Sequence, residues 1–281
     1  VWRDAQGELH TNPAWHSGSD LPEGPLPAWD LLADSTGSTL AIRTSRACAA
    51  DCPTCHGAFG RTLRGRRLEN VDREVRTLHD RFRPRTIAIL DRVFDFDPGR
   101  AKALLRGWIG MRLGVTWSFP HGLRGDRIDS ELAQLLRQAG VKAVHLPIGS
   151  ASPRIQQLLG SNLDLAGLER GIQHLADEGI HVTGLFGLGY EREDPRERER
   201  SVAFARRCAL HQVRFQAVGT RRHGNRWSDR AKAGWSFYTS PERHKAWKQW
   251  LADRGETTWQ PAFQHWMHEV GCRLHLRQRQ S

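Results

Sequence analysis

Between Leu40 and Thr220 short β-rich runs alternate with longer amphipathic ones, and no other feature restricts the fold so tightly. The pattern predicts strands over 40–43, 86–90, 114–118, 143–148, 182–187 and 213–218. Helices are expected between them, over 68–82, 98–111, 130–139, 153–159, 164–178 and 194–211. Leu132, Leu135, Leu136 and Ala139 repeat at three-and-four spacing and are closed by Gly140; Leu165, Leu168, Ile172, Leu175 and Ala176 do the same before Gly179. Such stripes mark helices with one buried face. Strand–helix alternation with right-handed crossovers gives a parallel sheet with helices outside it. Sheets of this kind carry their chemistry at the carboxyl ends of the strands.

Just past the first strand the chain reads Thr44-Ser-Arg-Ala-Cys48-Ala-Ala-Asp-Cys52-Pro-Thr-Cys55-His-Gly-Ala-Phe-Gly60, which holds three of the five cysteines. Thiolates are soft ligands, and three on one tight loop match three corners of a 4Fe–4S cube, leaving one iron without a protein ligand. Other uses compete for the same residues. Cys52-Pro-Thr-Cys55-His56 fits c-type haem attachment, but Cys48 then has no task and no secretory segment is visible. A structural zinc site needs a fourth ligand, which His56 or another histidine would have to supply, because Cys208 and Cys272 are lone and distant. An odd cysteine count and the lack of an export signal argue against a disulfide.

The triple-cysteine spacing, with Thr44-Ser45-Arg46 before it and glycines after it, resembles the radical S-adenosylmethionine (radical SAM) superfamily. That resemblance implies an α/β fold, a partial (βα)6 TIM-like barrel of the radical SAM type. It also implies a 4Fe–4S cluster on Cys48, Cys52 and Cys55. S-adenosylmethionine would sit on the open iron and be cleaved reductively to a 5'-deoxyadenosyl radical, which abstracts hydrogen from an unreactive carbon. A small-molecule substrate and a reductase such as flavodoxin or ferredoxin are the implied partners. Residues 1–38, rich in turn formers and including Leu26-Pro-Ala-Trp-Asp-Leu-Leu32, resemble the linker that follows a cobalamin-binding domain. The likeness therefore points to the cobalamin-binding group, where methyl transfer or oxidative cyclisation is expected. The first residue is Val, and the chain is expected to begin mid-protein, with any cobalamin domain upstream.

The same resemblance nominates further residues at the strand ends. Asp91, in Asp91-Arg-Val-Phe94-Asp-Phe-Asp97, is a candidate for a hydrogen bond to cofactor or substrate, or for capping the next loop. Arg124, in Arg124-Gly-Asp126, is a candidate carboxylate partner, or a tie between a helix start and its loop. Ser150 and Ser152 match a segment that contacts S-adenosylmethionine, although Ser before a Pro at the first helical position is also a helix cap. Gly187, in Gly184-Leu-Phe-Gly187-Leu-Gly189-Tyr190-Glu191, would let backbone approach the adenosine. Thr54, Gly149 and Gly189 depart from the family, which usually has an aromatic residue, an acid and a proline there.

On this reading the chain divides into a linker (1–38), a core (39–220) and a short helical tail (221–281) that carries six of the eleven tryptophans, with a helix over 241–254. The tryptophans pack the tail or line a pocket for a flat or apolar substrate. No apolar run approaches the ~18 residues of a membrane span, so a cytoplasmic protein is expected. The net charge of +11 would suit RNA, yet all but five of the 42 basic residues are arginine. They are spread along the chain and interleaved with acids, as in Arg192-Glu-Asp-Pro-Arg-Glu-Arg-Glu-Arg200, which reads as a solvated helix face. Nucleic acid is therefore not the expected partner. Two rival readings stay open: a tRNA-modifying, methylthiotransferase-like enzyme, and a non-catalytic module held together by its metal.

Overall fold

The computed structural model describes residues 2–11, 26–31, 39–48, 62–190, 193–217 and 235–238. Six parallel strands carry the fold: β1 (Thr39–Ile42), β2 (Thr86–Ile89), β3 (Thr116–Ser118), β4 (Ala143–Gly149), β5 (His181–Leu188) and β6 (Gln212–Ala217). The order β1-β2-β3 forms one sheet and β4-β5-β6 the other. Among the described residues no ladder joins β3 to β4, so the barrel is not closed. The loop after β3 stitches the two halves instead, with the Leu123 N–H donating to the His145 carbonyl at 2.8 Å.

Six helices lie between the strands, with α4 and α5 both between β4 and β5: α1 (Leu68–Phe82), α2 (Pro98–Met111), α3 (Ser130–Ala139), α4 (Pro153–Leu158), α5 (Leu165–Asp177) and α6 (Pro195–Arg207). All but α1 start at side chains that satisfy the otherwise orphaned first N–H groups. Asp97, Asp129, Ser152, Asp164 and Asp194 each cap a helix, and Pro opens α2, α4 and α6. The stripe expected on α3 is buried at Leu132, Leu135 and Leu136, and that on α5 at Leu168, Ile172 and Leu175. Helix α5 also lies tight against the loop after β3, because a Cβ at Gly171 would stand 2.1 Å from the Gly125 carbonyl oxygen.

Helix α6 stops at Arg207, short of the expected 211. Cys208 turns to extended backbone and Leu210 drops into the core, fully buried, so the chain enters β6 from a short loop rather than from a longer helix. The run Arg192–Arg200 is not wholly a solvated face either. Glu197 is buried and closes a capping box with Asp194, while also pairing with Arg154. The tail likewise departs from an all-helical expectation: β7 (Trp235–Tyr238) pairs antiparallel with β6. The helix expected over 241–254 lies outside the described residues. Among the described residues no helix is long and apolar enough to cross a membrane.

One face of each sheet is packed by helices. Trp117 of β3 stacks on Trp108 of α2 at 4.0 Å between ring centroids, and Phe186 of β5 meets Phe204 of α6. Leu40, Ile87, Val144, Leu146, Val213 and Phe215 are buried on that side. The alternate residues point the other way, as strand periodicity requires.

Candidate cluster loop and the polar sheet face

Beyond Ile42 the chain leaves the sheet and then returns to it. Ser45–Arg46 pairs antiparallel with Arg64–Gly65, so the segment 47–63 starts and ends at one place, the carboxyl end of β1. Cys48 lies half-buried at its start, directly after Ala47, whose φ of 73° turns the backbone sharply. Cys52 and Cys55 lie outside the described residues.

A buried polar clamp holds the base of this loop. Asp91, at the end of β2 and 3% exposed, accepts from the Thr44 N–H at 2.6 Å, the Thr44 hydroxyl at 2.5 Å and the Ser45 hydroxyl at 2.7 Å. The Arg100 guanidinium on α2 donates to the Thr44 carbonyl at 3.0 Å and to the Arg66 carbonyl at 2.7 Å, tying the outgoing strand to the returning one. Arg66 in turn donates to the Arg43 carbonyl at 2.9 Å and to buried Glu74. Burial draws the Arg100 pKa down while Asp91 and Asp97 oppose it, and an arginine so placed keeps its charge. The loop ends are thus fixed by charge-assisted hydrogen bonds, the strong kind. A soft thiolate on a loop pinned at the chemically active end of a parallel sheet fits the donor set of an iron–sulfur cluster.

The other candidate residues are all near strand ends, but the structure spends their polar atoms differently. Asp91 faces the preceding cysteine loop rather than capping the one that follows it. Arg124 forms a bidentate pair with Asp126 at 2.8 and 3.0 Å and donates to the Ser161 and Asn162 carbonyls at 2.8 Å each. It is the tie between the loop after β3 and the start of α5. Buried Asp95 completes that tie by accepting from the Arg124 and Gly125 N–H groups at 2.8 and 2.9 Å.

Ser150 and Ser152 are fully buried and turned toward α6. The Ser150 hydroxyl meets Ser201 Oγ at 3.1 Å, and Ser152 donates to Glu197 at 2.7 Å while capping α4. Gly187 is buried on β5, in register with Gln216 of β6. Gly149 sits at a register irregularity with a φ of 73°, and a Cβ there would stand 2.7 Å from Leu159 Cδ1. The backbone conformation accounts for glycine where the family usually has an acid. Beyond β5, burial and nearby Glu193 push the Tyr190 hydroxyl pKa up to about 12.

The sheet face turned from the helices escaped the sequence reading. Parallel sheets in α/β proteins are usually apolar on both faces. Here one face is largely polar, with Thr116 and Ser118 on β3, His145 on β4, Thr183 on β5, and Gln212, Arg214 and Gln216 on β6, interrupted by Pro147 and Leu185. Thr183 donates to the Gln212 amide oxygen at 3.3 Å, which sets both side chains on that face. The signal was present in Gln212-Val-Arg214-Phe-Gln216, an alternation with a period of two.

Comparison with known proteins agrees with this arrangement. The family model described as the radical SAM superfamily matches residues 42–205, more than half of the chain. An uncharacterised methyltransferase of Pyrococcus horikoshii is 26% identical over 217 residues, covering 74% of this chain and 47% of the relative. The cytidylyl-2-hydroxyethylphosphonate methyltransferase of Streptomyces wedmorensis is 28% identical over 226 residues, covering 67% of this chain and 42% of the relative. The chain therefore spans less than half the length of these curated relatives.

Among solved structures, the radical S-adenosylmethionine methyltransferase TsrM of Kitasatospora setae, with cobalamin and a 4Fe–4S cluster bound, aligns with a TM-score of 0.57 at 21% identity. That alignment covers 64% of this chain and 37% of TsrM. The cobalamin-dependent enzyme OxsB aligns with a TM-score of 0.60 at 17% identity, over 73% of this chain and 32% of OxsB. At these identities the structures speak for the fold. With the family model running from the end of β1 through the cysteine loop to within α6, the chain belongs to the radical SAM superfamily.

Proposed function

We propose that residues 39–220 form the catalytic core of a radical SAM methyltransferase acting on a small molecule, with Cys48, Cys52 and Cys55 as the cluster ligands. The observation that carries the proposal is the cysteine loop pinned at both ends to the carboxyl edge of β1. When bound, a 4Fe–4S cluster with an open iron supplies the electron that cleaves S-adenosylmethionine.

The protein's own part is positional. Asp91, Arg100 and Arg66 fix where the loop leaves and re-enters the sheet, and so hold Cys48 at the carboxyl end of β1. Gly187, lacking a Cβ, would let a ligand come near the backbone of β5, and the helix-packed face excludes water from behind. Ser150, Ser152 and Arg124 act by holding these loops in place.

The methyl-transfer reading is favoured over oxidative cyclisation because both curated relatives bear methyltransferase names. Cobalamin, bound by TsrM and OxsB, would be supplied from outside residues 39–220, and a flavodoxin or ferredoxin would deliver the electron. The test is anaerobic incubation of reconstituted protein with S-adenosylmethionine, reductant and cobalamin, followed by chromatography. Release of 5'-deoxyadenosine or S-adenosylhomocysteine above the level of a Cys55→Ala variant is expected. An intact cluster that leaves S-adenosylmethionine uncleaved would refute the proposal.

A further inference from the structure

We infer that the polar sheet face receives a substrate bearing an oxyanion (phosphonyl, phosphoryl or carboxylate) and that Arg214 is the residue that holds it. The inference rests on the radical SAM reading only in taking this face for the substrate's side.

Arg214 stands exposed on β6 between Val213 and Phe215, both buried against the helices. Its register neighbour on β5 is Leu185, and Pro147 on β4 lies beyond that. Around it on the same face are Gln212, Gln216, Thr183 and His145, which offer amides, a hydroxyl and an imidazole but no carboxylate. Among the described residues no acid pairs with Arg214, whereas Arg66, Arg106, Arg124, Arg154 and Arg207 each have one. Asp91, at the end of β2, has both oxygens committed to Thr44 and Ser45.

His145 gives a second, independent pointer. Its Nδ1 is buried and has no hydrogen-bond partner among the described residues, and the ring lies within electrostatic reach of Arg214. Buried polar atoms without partners are rare, and each calls for an explanation. An unneutralised guanidinium flanked by hydrogen-bonding side chains, with an unpartnered imidazole nitrogen nearby, is a receptor for an oxyanion, whether planar at carbon or tetrahedral at phosphorus. Guanidinium binds both kinds through two parallel hydrogen bonds.

The test uses the full chain at low ionic strength and titrates methylphosphonate, inorganic phosphate and acetate by calorimetry, with phosphorus resonance for the first two. S-adenosylmethionine is titrated separately into the cluster-loaded protein. Wild type should bind at least one of the three ions, and the preferred ion identifies the oxyanion class. Arg214→Gln should weaken that binding about tenfold or more. Arg214→Lys should fall between, and His145→Gln should cost less than Arg214→Gln. Iron content, urea midpoint and S-adenosylmethionine affinity should stay at wild-type values in all three variants.

Unchanged ion binding in Arg214→Gln, or no binding of any ion by wild type, would overturn the inference. A parallel loss of S-adenosylmethionine affinity would also overturn it, since Arg214 would then serve the methionine carboxylate. Ion binding is measured on protein without a cluster as well, so failure of the cluster to load would count against the family chemistry and not against this site.

Discussion

Replacing Asp91 by Ala probes the clamp at its centre. The carboxylate is 3% exposed and receives three hydrogen bonds, from the Thr44 N–H and from the Thr44 and Ser45 hydroxyls. Hydrogen bonds to a charged group contribute about 1.5–3 kcal/mol each, but those sharing one acceptor group do not add fully. The two hydroxyls can rotate to other partners, whereas the buried N–H cannot. A net loss of about 2–4 kcal/mol is expected, which at an m-value of about 2–3 kcal/mol/M lowers the urea midpoint by about 1 M.

Asp91→Asn is the control. Its amide oxygen still accepts from the Thr44 N–H and its amide nitrogen donates to a hydroxyl, so only the charge is lost and about 1 kcal/mol is expected. Because the clamp fixes the ends of 47–63, Asp91→Ala should also speed proteolysis within that segment and lower the iron bound after reconstitution. Equal midpoints for Ala, Asn and wild type, with unchanged cleavage and iron content, would refute the reasoning.

Other substitutions test the remaining structure. Gly149→Ala places a Cβ on backbone at φ 73° and should cost about 1–2 kcal/mol by thermal melting, with no gain from the family's acid in Gly149→Glu. Trp117→Ala removes a 2% exposed indole stacked on Trp108 and should cost about 3–5 kcal/mol in the same assay. Arg154, the Asp194 N–H and Ser152 hold the Glu197 pKa down to about 2, so its stabilising contribution is present above the usual glutamate pKa and is lost as pH falls toward 2. Glu197→Gln should flatten the stability profile over that window. Burial, with His211 and His145 nearby, lowers the His181 pKa to about 3; the unfolded chain takes up the proton first, and stability declines from about pH 6.5 downward. His181→Gln should remove that decline.

The sequence made α1, α2 and α3 legible to the residue. Helix α1 starts without a side-chain cap and is read from its pattern alone, whereas the starts of α2 and α3 are chemical. Asp97-Pro98 and Asp129-Ser130 start helices, while Gly140, with a φ of 101°, ends one. Helix α6 was overextended because Cys208-Ala-Leu continues a helical pattern, while the requirement to bury Leu210 under β5 is tertiary. The cysteine motif was readable because ligand spacing is local. The clamp was not, since Asp91, Arg100 and Arg66 meet Thr44 from 47, 56 and 22 positions away. Likewise Ser150 and Ser152 looked like ligand contacts in one dimension; their partners, Ser201 and Glu197, come from α6.

The most direct test of the account is anaerobic reconstitution of wild type and Cys52→Ala, with iron and sulfide counting and paramagnetic resonance before and after adding S-adenosylmethionine. The account predicts about four irons and four sulfides in wild type, a reduced-cluster signal that changes on adding S-adenosylmethionine, and loss of both in the variant. Zinc in place of iron, or a cluster whose signal ignores S-adenosylmethionine, would contradict it.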